Sequence, residues 1–293
     1  MTIGSGSDDD LPGRAVHLAG RGTTYVREAG GPPGAPTVIL LHGLGATAGT
    51  NWAAVSAALR ARFHVVAPDQ RGHGRGIRTS RFRLEDCADD VAALAEHLGV
   101  RRAVIVGYSM GGPVASLVWR RHPGLVDGLV LLATSDVFRG NPAERLGYGA
   151  LAALVATIAP RMPGSAKAQS VAVEALQRAP VVGRPMQRLL WRTGEIAHND
   201  PRSMLQAADQ LGRFNSRSWI SEVDVPTAVV ATTEDRFVAT ARQVGLAMTI
   251  PSAVLHPIAA GHMGVFDSRG GAAADAVLDA CEQVVRRARR ATV

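Results

Sequence analysis

Short runs dominated by apolar residues alternate along this chain with longer stretches whose apolar positions recur every three or four residues. The runs are Thr37–Leu41, His64–Pro68, Ala103–Val106, Gly128–Leu132, Thr227–Ala231 and Ala253–Ile258. A short apolar run closed by turn residues is what a strand buried on both faces requires. The intervening stretches read as helices at Trp52–Arg60, Leu84–Leu98, Thr240–Met248 and Ala272–Arg290, the first with Trp52, Val55 and Leu59 on one face. Two further strands are expected at Ala15–Leu18 and Thr23–Arg27. Strand–helix alternation of this kind predicts an α/β protein, a doubly wound and mostly parallel sheet with helices on both faces.

The rhythm breaks between Asp136 and Asp224. No strong strand pattern occurs there; Leu146–Ile158, Ser170–Gln177 and Ser203–Gly212 read as helices, punctuated by Pro160, Pro163, Pro180 and Pro185. The expected organisation is therefore a disordered tail (1–13), a core in two pieces (14–135 and 225–293) and an inserted helical cap (136–224). No internal repeat interrupts it.

Composition narrows the class without naming the chemistry. With 293 residues, 46% hydrophobic and 19% charged, the chain suits one large globular unit carrying an insertion. No apolar stretch is long enough to span a bilayer, so stable membrane insertion is not expected. The small, acidic start lacks the basic and apolar regions of a secretory signal, and a cytoplasmic location is expected. The net charge of +7 is carried by arginines, with Lys167 the one lysine. They are scattered rather than gathered in a stripe, so nucleic acid is not an expected partner. The densest cluster, Arg286–Arg290, ends the last expected helix, where cations complement the helix dipole. Cys87 and Cys281 fall in expected helices without metal-ligand spacing, as small buried hydrophobes; no metal is expected.

Chemistry enters at Gly107-Tyr108-Ser109-Met110-Gly111-Gly112, directly behind the run Ala103–Val106 and ahead of an amphipathic stretch. A sharp strand-to-helix turn strains the serine backbone, requires small residues two before and two after it, and aims the hydroxyl out of the sheet. It also presents the Met110 N–H at a helix N-terminus, where negative charge is stabilised. A serine hydroxyl needs a base to become a nucleophile. Of nine histidines, His262 in Gly261-His262-Met263-Gly264 lies in the loop between the last strand and last helix, on the carboxyl edge that also carries Ser109. The acid that orients it is expected to be Asp235, which follows the strand Thr227–Ala231. Glu234 beside it and Asp136, after the strand ending at Leu132, are rivals. Ser109, Asp235 and His262 then run in nucleophile–acid–base order. A second oxyanion donor, the N–H of Leu44, is expected from His42-Gly43-Leu44-Gly45 after the strand Thr37–Leu41.

With these pieces and Asp69-Gln70-Arg71-Gly72-His73-Gly74, the chain resembles the α/β-hydrolase superfamily from roughly residue 20 onward. The resemblance implies that the Asp69–Gly74 loop supports the site, and that His73 takes no part in the chemistry. Epoxide hydrolases and haloalkane dehalogenases of this fold carry an aspartate where Ser109 stands. The Ser-Met-Gly-Gly run is similar to that of carbon–carbon hydrolases, which usually have an aromatic residue where this chain has Met263. It is also similar to the menaquinone-pathway synthase, which has an arginine in place of Pro113. The expectation is a serine esterase-like enzyme without cofactor, acting on a small hydrophobic ester or thioester through an acyl-enzyme. Carbon–carbon cleavage and a receptor-like member with little turnover are the alternatives. The apolar residues Leu146, Leu151, Leu154, Val155, Ile158, Met162, Leu189, Leu190 and Trp191 of the insertion favour an apolar substrate.

Overall fold

The computed structural model describes residues 11–139, 198–266 and 271–291. Its eight strands are β1 (Gly13–Leu18), β2 (Gly22–Ala29), β3 (Thr37–Leu41), β4 (His64–Pro68), β5 (Ala103–Tyr108), β6 (Val126–Leu132), β7 (Thr227–Thr232) and β8 (Ala253–Ile258). They form one sheet in the order β1-β2-β4-β3-β5-β6-β7-β8. β1 and β2 run antiparallel to their neighbours, and the ladder from β4 to β8 is parallel. The helices among the described residues are α1 (Ala48–Arg60), α2 (Leu84–His97), α3 (Gly111–Arg121), α4 (Pro201–Arg213), α5 (Thr240–Thr249) and α6 (Gly271–Ala291).

The central strands are apolar along most of their length because both of their faces are covered, with polar residues such as Thr37 and Asp127 near their starts. Ile39 and Leu41 of β3, Ile105 of β5, and Leu129 and Leu131 of β6 pack in a core with α2, α3 and α5. The alternate residues Val38, Leu40, Val104, Val106, Val130 and Leu132 pack against α1 and α6 on the other side. Period-two alternation thus divides apolar from apolar, which is the signature of a sheet with helices on both faces. Cys87 and Cys281 are free and buried, one in each layer.

Several boundaries move from the sequence reading, each for a local reason. α1 begins at Ala48 rather than Trp52, because Thr47 and Thr50 form a reciprocal capping box ahead of it. Leu11 is buried in the α1–α6 layer and Gly13 opens β1, so packing starts within the stretch assigned to a tail. β5 continues to Tyr108, pairing as far as Leu132. In the insertion between β6 and β7, α4 is observed where Ser203–Gly212 was expected, started by the side chain of Asp200 and by Pro201. The expected helices Leu146–Ile158 and Ser170–Gln177 lie outside the described residues.

β6 passes unusually close beneath α6. A Cβ added at Gly128 would stand 2.2 Å from Val284 Cγ1 and 2.7 Å from the carbonyl oxygen of Pro226. Gly128→Ala is expected to cost about 1–3 kcal/mol of stability through overpacking, read as a lowered urea midpoint with unchanged slope. Val284→Ala in the same chain should recover part of that loss, since the side-chain clash is relieved and the carbonyl clash is not. An unchanged midpoint for the single variant would contradict the packing described.

Candidate active site

Ser109 stands at the tip of β5 with its backbone in the left-handed region, φ 50°. For a residue with a Cβ this conformation costs about 1–2 kcal/mol, and it is held by three hydrogen bonds. The Ser109 N–H donates to the Leu132 carbonyl at 2.9 Å, and the Ser109 carbonyl accepts from Gly112 N at 2.9 Å and from Thr134 Oγ1 at 2.8 Å. The turn is as tight as the motif requires. A Cβ at Gly107 would lie 2.2 Å from the Gly111 carbonyl oxygen, and one at Gly111 would lie 2.2 Å from that of Leu41.

His262 opens a short 3₁₀ turn, His262–Phe266, after β8. Its Nε2 lies 3.0 Å from Ser109 Oγ, and its Nδ1 lies 2.7 Å from Asp235 Oδ2. A carboxylate only accepts, so Nδ1 carries the proton and Nε2 turns its lone pair to the serine hydroxyl. The Asp235 side chain is fully buried. Besides His262, it accepts from Thr232 Oγ1 at 2.7 Å, from Gln243 Nε2 at 3.3 Å, and from the backbone N–H groups of Phe237 and Val238, each at 2.8 Å. Burial acts to raise its carboxyl pKa. The hydrogen bonds from His262, Val238 and Thr232 outweigh burial and hold it below the ordinary value. Tyr108, the residue before Ser109, donates its hydroxyl to the His262 carbonyl at 2.9 Å, with its ring 5.2 Å from the imidazole.

The rivals for Asp235 sit elsewhere. Asp136, in the loop after β6, pairs with Arg217 at 3.1 Å, and Glu234 is exposed. Ser109, Asp235 and His262 are thus brought into one hydrogen-bonded chain, and neither alternative acid enters it. Such a chain can withdraw the serine proton as the oxygen attacks a carbonyl.

The Gly43–Gly45 loop lies against the serine, since a Cβ at Gly43 would stand 3.4 Å from Ser109 Cβ and 2.8 Å from the Tyr108 ring. Among the described residues, the backbone N–H groups of Leu44 and Met110 meet no acceptor. The loop itself is fixed from below. Asn51 Oδ1 accepts from Gly43 N at 2.9 Å, Gln70 Nε2 donates to the His42 carbonyl at 2.6 Å, and Gln70 N donates to His42 Nε2 at 2.9 Å. It is also fixed from the insertion, where Asn199 donates to the Gly45 carbonyl and accepts from Gly74 N, each at 2.7 Å. His73 lies beneath, its ring 5.1 Å from that of His42, and touches none of the three site residues. Asn51, Tyr108, Asn199, Thr232 and Gln243 were not anticipated as supports from sequence, and Gln70 was anticipated only as part of the Asp69–Gly74 loop. The one available signal was a polar residue on an otherwise apolar helix face, as Asn51 is beside Val55 and Leu59 in α1.

Comparison with known proteins identifies the fold family. A family profile described as the alpha/beta hydrolase fold matches residues 36–268. A pimeloyl-[acyl-carrier protein] methyl ester esterase of Chromobacterium violaceum is 31% identical over 224 residues, 75% of this chain and 84% of that protein. The magnesium-chelatase 30 kDa subunit of Rhodobacter capsulatus is 41% identical over 87 residues, 29% of this chain and 30% of that protein. Among solved structures, the enol-lactonase of Burkholderia xenovorans LB400 superposes with a TM-score of 0.70 at 24% identity, covering 91% of this chain and 98% of that one.

The two buried histidines give the site a measurable acid sensitivity. Burial lowers the pKa of His42 to about 3, with the neighbouring His73 adding to the shift, and burial lowers His73 to about 4. The unfolded chain takes up these protons near pH 6.5 and the folded chain does not. Stability is therefore complete above about pH 6.5 and falls as the pH drops toward 4 and 3, by up to about 1.4 kcal/mol per pH unit for each histidine. Urea unfolding between about pH 6.5 and 5, above the carboxylate range, should show this slope, and His73→Asn should remove roughly one proton's share. A flat profile there would contradict the neutral buried pair.

Proposed function

The chain belongs to the alpha/beta-hydrolase fold family, and we propose that within it the protein is a serine hydrolase acting on carboxylic esters or thioesters, working in the cytoplasm. The observation that carries this reading is the pair of contacts at His262, 3.0 Å to Ser109 Oγ and 2.7 Å to Asp235 Oδ2. Ser109 attacks the carbonyl carbon while His262 Nε2 takes its proton, and Asp235 steadies the imidazolium that results. The negative charge on the former carbonyl oxygen is met by the N–H groups of Met110 and Leu44, in a loop already set in place by Asn51 and Gln70. His262 then returns the proton to the leaving alcohol or thiol. A water molecule then attacks the acyl-enzyme carbon, losing its proton to His262, which passes it to Ser109 Oγ as the acyl–Oγ bond breaks and the acid leaves. The sequence calls on no cofactor, because every proton is carried by His262. The methyl ester esterase relative supports ester cleavage over carbon–carbon cleavage for this chain.

The insertion from 136 to 224 acts in this reading as a cap, joined to the Leu44 loop through Asn199. Its apolar residues between Leu146 and Trp191, which lie outside the described residues, would favour an apolar acyl group.

Three outcomes test the proposal. A fluorophosphonate probe is expected to label Ser109 alone, and Ser109→Ala should abolish both labelling and ester hydrolysis; label mapped to another serine in that variant would refute the nucleophile. Asp235→Asn should lower the acylation rate by about three to four powers of ten, with Asp136→Asn costing far less, and the reverse order would move the acid to the loop after β6. Catalytic efficiency should rise from acetate toward medium-chain acyl esters, by up to about fourfold per methylene. A steady fall from acetate would overturn the apolar acyl site and leave the serine mechanism intact.

A further inference from the structure

Large apolar side chains are rarely left in solvent around this protein, and their placement is uneven. Among the described residues the exposed ones are Leu44, Phe237, Met248, Leu255 and Met263. Three of these five, Leu44, Phe237 and Met263, belong to the loops that surround Ser109 and His262. Phe237 is 77% exposed, yet its position is fixed. Its N–H donates to Asp235 Oδ1 at 2.8 Å, and its ring centroid lies 5.4 Å from that of His262. Met263, 59% exposed, follows His262 directly and holds its sulfur 3.5 Å from the Tyr108 hydroxyl. An ordered phenyl ring kept in water beside the imidazole costs solvation free energy unless something apolar covers it.

The chemistry at His262 says which part of a substrate that is. The leaving oxygen must come within hydrogen-bond reach of Nε2 to receive its proton. The carbon attached to that oxygen therefore departs past whatever flanks the imidazole. The carbonyl oxygen, by contrast, turns toward the N–H groups of Leu44 and Met110. We propose that Phe237, with Met263 beside it, is the binding surface for the alcohol half of the ester, and that the substrate carries an apolar alcohol larger than methyl. This inference rests on the serine-hydrolase reading, and assigns Phe237 as a specificity-determining residue of that site.

The test is a two-way ester panel followed by pH-stat. One series holds hexanoate and varies the alcohol through methyl, ethyl, butyl, hexyl and benzyl. The other holds ethanol and varies the acyl group from acetate to decanoate. In the native protein kcat/KM, which reports acylation, should rise along the alcohol series by up to about fourfold per methylene. Phe237→Ser keeps the backbone bond to Asp235 and should flatten that slope while the acyl slope is unchanged. Met263→Ser should lower the alcohol slope less. Phe237→Leu, which keeps an apolar side chain, should retain most of it, and Phe237→Gln, which keeps bulk without an apolar face, should flatten it and replaces the serine variant should that fold poorly. An alcohol slope unaltered in Phe237→Ser and Phe237→Gln, or both slopes falling together, would overturn the assignment of Phe237 while leaving the serine mechanism standing. Hydrolysis surviving in Ser109→Ala would instead remove the reading on which the inference rests.

Discussion

The left-handed turn at Ser109 is the constraint on which the rest of the site depends. At φ 50° the serine leaves β5 at an angle no regular strand allows, and α3 begins at once behind it. That conformation is disfavoured on its own and survives because its surroundings overdetermine it. Gly107 and Gly111 remove the Cβ atoms that would collide with the Gly111 and Leu41 carbonyls. Thr134 reaches the Ser109 carbonyl from the end of β6, where Ala133 is itself held at φ 48°. Two consecutive parallel strands thus end in strained residues on the carboxyl edge of the sheet, Ser109 tied to Leu132 and Thr134 and Ala133 tied to the Val230 carbonyl.

Most polar groups beneath the turn follow a second rule, that a buried donor or acceptor must find a partner, with Gln70 Oε1 and His73 Nε2 the exceptions there among the described residues. His42 meets it at both ring nitrogens, with Nδ1 2.9 Å from the Gly43 carbonyl and Nε2 accepting from Gln70 N. A protonated imidazole could not accept at Nε2, so the neutral form is built into the geometry. The Asp235 carboxylate meets the same rule with more donors than one oxygen could hold, spread over Thr232, Gln243, His262 and two backbone N–H groups. Charge is placed where the chemistry needs it, on Asp235, and withheld from the loop that supports Leu44.

The parts legible in the sequence were those written in local pattern. The central strands announce themselves because burial on both faces leaves continuous apolar runs, as in Val104-Ile105-Val106. Ser109 was legible because a single turn geometry forces glycine at fixed offsets, and His262 and Asp235 because each sits in a loop at the end of a recognisable strand. Most of the supporting residues were not: Thr232 and Asn51 act within a few positions but belong to no distinctive motif, and others act across long separations. Asn199 meets Gly45 154 positions away, and the Tyr108 hydroxyl meets the His262 carbonyl across a similar interval. Nothing within a window of a few residues distinguishes Asn199 from any other polar residue before a helix. Only the folded sheet, which lays β3, β5, β6, β7 and β8 side by side, brings such pairs together.

That long-range stitching also separates two kinds of rigidity. The Ser109–His262–Asp235 chain is held wholly by the core, through β5, β7, β8 and α5. The Gly43–Gly45 loop is held partly by the core, through Asn51 and Gln70, and partly by the insertion, through Asn199 and the Gly72 carbonyl, which accepts from Asp200 N at 3.1 Å. A displacement of the insertion would therefore reach the backbone beside Leu44 before it reached the imidazole. In a serine hydrolase built this way, nucleophile activation belongs to the fold, whereas stabilisation of the developing oxyanion is shared with the segment that encloses the substrate. The two halves of the chemistry can then respond differently to the same substrate. Under the proposed mechanism the acyl group would act through the insertion and the Leu44 loop, and the alcohol beside His262, where the Phe237 backbone is tied to Asp235.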